Sequence, residues 1–209
     1  MTQIIDYGTL KTEVANELTR DDLTARIERF VQQGEARLFT DLRVREMEAA
    51  QSLVTVGAAR TVALPTRYLK ARSLYISGSP NVRLEYRNPT EYWQIYSSLP
   101  TAKPRVYTIE REFFLLGPVP DAVYTLPVTF YQKPVSFVAD ADTNGVLTRF
   151  PDIYLYAACL ASAPFLGNDA RILQWASMYE DWIERAHTAD RADRQSGDTL
   201  VPDRVAQMT

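Results

Sequence analysis

The chain has 209 residues, 46% of them hydrophobic and 11% aromatic, which is enough to bury a real core and excludes a wholly disordered chain. Its 23 Lys and Arg against 26 Asp and Glu give a net charge of -3. That balance argues against a protein that holds nucleic acid by neutralising phosphates, and leaves room only for a local basic strip. The single cysteine, Cys159, can form no intramolecular disulfide; inside an apolar helix it reads as a small buried hydrophobe, in keeping with a reducing compartment.

The opening MTQIIDYGTL lacks a basic segment followed by an apolar run, so no signal peptide is expected and the protein should stay in the cytoplasm where it is made. Asp6 precedes a short helix with Leu10, Val14 and Leu18 on one face. Asp21 or Asp22 caps a longer one, in which Leu23, Ile27, Phe30, Val31, Leu38 and Leu42 form an apolar stripe with Glu and Arg residues on the other face. Gly34 in its middle weakens it by about 1 kcal/mol relative to Ala and marks a close helix contact.

From about Met47 the apolar period changes to two. Leu53 to Val56 and Thr61 to Leu64 flank GAAR as a hairpin, and Leu69 to Ile76 turns at SGSPN and returns with Val82, Leu84 and Tyr86 alternating against Arg83, Glu85 and Arg87, a strand with one wet face. NPTEYWQIY reads as one helical pass beginning at Thr90 and Glu91. Strands follow at Arg105 to Ile109, Phe113 to Leu116 and Tyr124 to Tyr131; Pro127, with no N–H, assigns the last to a sheet edge.

The densest apolar stretch runs from Thr148 to His187. Pro151 and Asp152 suit a helix start. Ile153 to Leu166 is apolar on all sides and must be buried, with Pro164 kinking its last turn and Gly167 ending it. No apolar stretch free of such breakers is long enough to span a bilayer, so no membrane association is expected. Asn168 or Asp169 then caps a second helix. There Ile172, Trp175, Ala176, Tyr179, Trp182, Ile183 and Ala186 share one face. Beyond His187 the sequence turns polar and reads as a tail, in which Leu200, Val201, Val205 and Met208 have nothing local to pack against, as in segments that order on a partner. The fold expected is α+β in one compact domain: N-terminal helices over 1–43, a small antiparallel sheet or partly closed barrel over 44–137, a helical hairpin over 138–190 and an extended tail over 191–209.

Chemistry is sparse. One Cys and one His make no zinc set, and His187, at a helix end beside a polar tail, is no triad base. The eight glycines are scattered at turns and form no phosphate loop, so neither cofactor nor metal is expected. Asp140 to Gly145, DADTNG, has the first half of a calcium-loop spacing, but Pro151 stands where the bidentate Glu belongs, and the stretch reads as a turn. Glu110 with Glu112, or Glu46 with Glu48, are pairs a glycosidase would use, yet next to arginines in period-two segments they read as solvated faces. Tyr154, Tyr156, Trp175, Tyr179 and Trp182 stand at core spacing, whereas Tyr92, Trp93 and Tyr96 sit on a short polar connection that suits an interface or, less well, a sugar platform.

The blocks LPTRYLKARSLYI, LEYRNPTEYWQIY, KPRVYTIE, FFLLGPVPDAVYTLPVTFYQKP and LTRFPDIYLYAACLASAPFLGNDARILQW resemble the head-to-tail adaptor, or neck, proteins of tailed bacteriophages over Leu64 to Arg194. The TRFPDIYLYAA block with the APFLGND turn is the most specific part. The resemblance implies a virion structural protein and no enzyme. It implies a dodecameric ring under the portal, extending a channel through which double-stranded DNA passes without specific binding, and offering a platform to a tail or nozzle protein. Trp175, Tyr179, Trp182, Leu200, Val201, Val205 and Met208 are then the candidate contacts with portal or neighbouring subunit, and Tyr92, Trp93 and Tyr96 the candidate tail-side surface. The alternatives are another tail or tail-completion protein, a cell-wall glycan hydrolase, or a nucleic-acid-binding regulator.

Overall fold

Asp6 starts the first helix through a reciprocal cap: its Oδ1 accepts the Thr9 N–H at 2.8 Å, and Thr9 Oγ1 accepts the Asp6 N–H at 3.0 Å. Helix α1 (Tyr7–Leu18) buries Leu10, Val14 and Leu18 and closes on Thr19, which takes a left-handed conformation with φ 51°. The second helix begins later than its sequence predicts. Asp22 is bound by Arg20 at 2.7 Å, residues Asp21–Arg26 wind as a tighter 3-10 turn, and α2 (Ile27–Asp41) starts with no side-chain cap. These coordinates come from a computed structural model that describes residues 3–167 and 169–195, so Asn168, Leu200, Val201, Val205 and Met208 lie outside the described residues.

The chain divides into two compact units, one made by the chain up to Arg45 and again from Ser136, the other by Glu46–Val135. In the first, α5 (Pro151–Ala161) packs against α1, α2 and α7 (Arg171–Gln195). Gly34 permits the closest approach: a Cβ there would lie 2.9 Å from Ala157 C and Ala158 N, on the α5 backbone. Pro151 takes the first turn of α5, as expected. A short helix, α4 (Gly145–Arg149), precedes it unannounced by periodicity, capped by Asn144, whose Oδ1 accepts the Leu147 N–H at 2.9 Å. The apolar run does not kink at Pro164 but breaks at Ser162. The Ser162 N–H reaches the Ala158 and Cys159 carbonyls, and Pro164 falls in the first turn of a separate helix, α6 (Ala163–Leu166), where its missing N–H costs nothing. Helix α7 continues eight residues past His187, into the stretch that reads as tail.

The second unit holds β1 (Glu48–Val54), β2 (Thr61–Ala63), β3 (Tyr68–Ile76), β4 (Val82–Arg83), β5 (Glu85–Tyr86), α3 (Pro89–Tyr96), β6 (Val106–Glu110), β7 (Phe113–Gly117) and β8 (Thr125–Gln132). They form two four-stranded sheets, ordered β1-β8-β3-β4 and β2-β7-β6-β5. All pairs are antiparallel except β5 with β6. The sheets face each other as an open sandwich, not a barrel: Leu74, Ile76, Leu126, Val128 and Phe130 of the first share a core with Val62, Tyr107, Phe114 and Leu116 of the second. Helix α3 covers the other face of the second sheet with Tyr92 against Val106 and Leu115.

Three strand expectations are corrected by this arrangement. GAAR is no hairpin loop, because Thr55 N–H bonds to Tyr124 O and Ala58 N–H to Pro120 O, and the connection carries the chain from the first sheet to the second. Val82 to Tyr86 is not one strand. Buried Leu84 gives its N–H to Leu74, after which Glu85 gives its own to Arg105 in the other sheet, and of the apolar face only Leu84 is buried. Pro127 lies in a central strand, opposite Ser52 of β1; the regular β3–β8 register ends at Val128, and the next bond, from Ser77 N–H to Thr125 O, passes over the proline.

Candidate contact surfaces

The face of α7 that carries Trp175, Tyr179, Ala186 and Asp190 is turned into the helical unit. Trp175 is 1% exposed and its Nε1 donates to Glu17 at 2.9 Å. Tyr179 is also buried; its hydroxyl donates to Asp41 Oδ2 at 2.9 Å, and burial, reinforced by that carboxylate, raises its pKa. Of the three aromatic contact candidates on α7, only Trp182 is part-exposed, with the Arg185 guanidinium 5.2 Å from its ring. Leu173, 81% exposed, and Met178 add apolar surface on the same helix.

Beside the buried row runs a groove of 590 Å³, with Tyr179 and Ile183 at its apolar part and Asp41, Glu180, Glu184 and Asp190 around it. His187 lines it too, with Nε2 3.3 Å from Asp41 O, well inside the helix rather than at a frayed end. Asp190 is occupied: its Oδ1 accepts the Arg45 N–H at 2.7 Å and its Oδ2 pairs with Arg194 at 2.6 Å.

On the other unit, α3 separates its aromatics by depth. Tyr92 is fully buried and donates to Leu116 O at 2.8 Å, and Tyr96 stacks behind it. Trp93 is 43% exposed, held under the Arg60 guanidinium at 5.0 Å and by a hydrogen bond from its Nε1 to Glu110. Trp93 is therefore the most exposed of the three, on a rigid mounting, with Tyr96 part-exposed beside it.

Several of the candidate catalytic and metal residues have partners within the fold. Glu48 pairs with Arg72 at 2.6 Å, and Glu110 accepts from Trp93. In DADTNG, Asp142 Oδ2 accepts the Val138 and Ala139 N–H groups at 2.7 and 2.8 Å, Asp140 pairs with Lys11 at 2.7 Å and Asn144 caps α4, which is the hydrogen bonding of a turn. Among the described residues, no three or more His, Cys, Asp or Glu side chains come together as a metal group, and no helix is long and apolar enough to cross a membrane. Burial pushes the Cys159 thiol pKa up, as for an inert buried hydrophobe.

Two residues that hydropathy alone passes over are important here. Glu35 is 5% exposed in the α2 stripe, its Oε1 has no hydrogen-bond partner among the described residues, and burial raises its pKa to about 7 against the lowering effect of a Ser136 hydrogen bond. The three-and-four spacing between Val31 and Leu38 already put it on the apolar face. Arg171 donates to Glu17 O at 2.8 Å and Leu18 O at 3.2 Å, closing the C-terminal end of α1 while Asp169 holds it at 2.7 Å. Nothing local in the sequence signals that pairing.

The helical unit thus offers an apolar groove with acidic walls, and the β unit a mounted surface tryptophan, both features of contact-making surfaces. Residues 5–205 match the family model described as SU10 adaptor protein, and the chain belongs to that bacteriophage head-to-tail adaptor family. A search of curated proteins returns no match.

Proposed function

We propose that the protein forms a dodecameric ring beneath the portal in the virion neck, extends the DNA channel and gives the tail its attachment platform. The observation that carries the reading is the family match across residues 5–205, which includes both units. The net charge of -3 suits a wall along which a duplex slides without specific binding. On the portal side we place α7, through Leu173, Met178 and Trp182, together with Leu200, Val201, Val205 and Met208; Trp175 and Tyr179 support that surface from within. Trp93, backed by Tyr92 and Tyr96, is the tail-side anchor.

The test mixes purified protein with portal rings of its own phage and reads mass and symmetry by electron microscopy. A second ring stacked on the portal is expected; a bare portal beside folded protein refutes the role and favours a tail component. Deleting Ser196 to Thr209 should abolish portal binding with circular dichroism unchanged, and full-strength binding by the truncated protein refutes the portal-side assignment.

A further inference from the structure

The wall of the α7 groove is electrostatically incomplete. Glu180 and Glu184 stand one turn apart and both are exposed, an arrangement that destabilises a helix where opposite charges would stabilise it. The adjacent row shows the compensated form, Asp181 with Arg185 at 2.8 Å. Exposed Asp41 adds a third carboxylate across the groove, and Arg191 is the one Lys or Arg among its lining residues. The groove asks for an occupant with cations set around an apolar or aromatic anchor.

The other unit of the same chain carries such a surface. Glu46–Val135 holds ten Lys and Arg against seven Asp and Glu, leaving thirteen against nineteen for the rest, so a unit of charge +3 is joined to one of -6. The excess gathers at β5, the outer strand of the second sheet. Tyr86 there is 55% exposed and held edge-on to Tyr107, their ring centroids 5.6 Å apart. Arg83, at the end of β4, and Arg87, just past β5, are its nearest basic neighbours along the chain, Arg105 lies beside β5 on the stretch leading into β6, and Glu85 pairs with Arg87 at 3.1 Å.

We infer that Tyr86 of one copy seats in the α7 groove of a second copy, with Arg83 and Arg87 against Glu180 and Glu184. The two surfaces belong to different units, so the contact is heterologous. Each copy gives its groove to one neighbour and its β5 edge to the next, and repetition closes a ring when the rotation permits. A desolvated aromatic ringed by arginine–carboxylate pairs is the usual composition of a binding hot spot. The inference rests on the ring proposed above and adds which surfaces make it.

Two double variants of the full chain test it: Glu180→Lys with Glu184→Lys, and Arg83→Glu with Arg87→Glu. Self-association is followed by analytical ultracentrifugation, and ring formation on portals by electron microscopy. Each variant alone should lose association by about a hundredfold or more, because like charges then meet. An equimolar mixture should regain it, since the lysine groove of one meets the glutamate edge of the other and the ring closes by alternation. A misfolded variant is not rescued by mixing. Wild-type association by either variant alone, or a mixture that stays dispersed while both keep the wild-type circular dichroism, overturns the contact. Portal-bound rings that form regardless of either reversal overturn the contact and leave the adaptor reading standing. Portals left bare by wild-type protein, whose free rings still obey the swap, do the reverse. Wild-type protein that stays monomeric in both settings removes both.

Discussion

Glu35 places a carboxyl on the buried face of α2 at a cost that depends on pH. Its folded pKa of about 7 lies above the ordinary 4.5, so the folded chain holds a proton that the unfolded chain releases. Stability is greatest below pH 4.5 as far as this group is concerned, and falls as pH rises to about 7; above that the full penalty, about 3 kcal/mol, is present. Burial raises the pKa values of Tyr7 in α1 and Tyr154 in α5, and the Glu35 charge adds a smaller push in the same direction to both. Glu35→Gln should therefore raise the urea midpoint at pH 8 and leave it nearly unchanged at pH 4.5; an equal effect at both pH values refutes the account. Gly34, its neighbour, predicts the opposite of its helix propensity. Ala there would gain about 1 kcal/mol as a helix former, yet its Cβ would press at 2.9 Å on α5 backbone that cannot rotate away, costing about 1–3 kcal/mol. Gly34→Ala should lower the melting temperature by a few degrees, and a rise would show that α2 and α5 separate freely. The sequence disclosed the close approach at Gly34, since a glycine inside an apolar helix stripe has few other uses. It equally contained the buried acid, whose position in the stripe was outweighed by the residue's usual preference for water.

Many elements were legible from local signals. The cap at Asp6, Pro151 at a helix start, the spacing of α7 and most strand positions follow from a few consecutive residues. Apart from Asp22, held by its neighbour Arg20, and the helix break at Ser162, what went unread depends on partners far along the chain. Whether Val82 to Tyr86 stays in one sheet is decided by Leu74 and Arg105, and whether β8 is central is decided by β1 and β3. Arg171 is the same kind of case on the helical side. Its guanidinium reaches carbonyls more than 150 residues away in sequence and completes the end of α1, oriented by Asp169 and stacked 5.1 Å from Trp175. Charge-assisted bonds of this sort contribute about 1.5–3 kcal/mol each before solvent screening, and this side chain is about one-third exposed, so the lower end applies. Arg171→Met, which keeps the stem, should destabilise by about 1–2 kcal/mol. Arg171→Lys should recover little, because a single ammonium cannot serve two carbonyls and a bidentate carboxylate together. Full recovery by lysine, measured as the urea midpoint, would mean that charge alone matters there.

At the scale of the whole molecule, the sequence announced helices at both ends and strands between. The structure adds that the ends join into one unit and the middle folds on its own core. That joining was invisible to periodicity because α2 and α5, which make it, are separated by the entire β unit. The β unit enters and leaves on neighbouring strands: Glu48 of β1 stands opposite Tyr131 of β8, a cross-strand separation of roughly 5 Å. A segment with adjacent ends, two packed sheets and a covering helix has what an inserted domain needs to fold alone. The fragment Glu46–Val135, expressed by itself, should show a single cooperative thermal transition and dispersed amide resonances. It should also keep the exposed Tyr86 edge and so compete, at high concentration, with assembly of the full chain. Replacing the same segment by a short Gly/Ser linker should leave α1, α2, α5 and α7 packed, since the linker need span only the gap that β1 and β8 already set. A fragment that stays unfolded would mean that the sandwich borrows its stability from the helices, and the chain would then be one cooperative body despite its two cores.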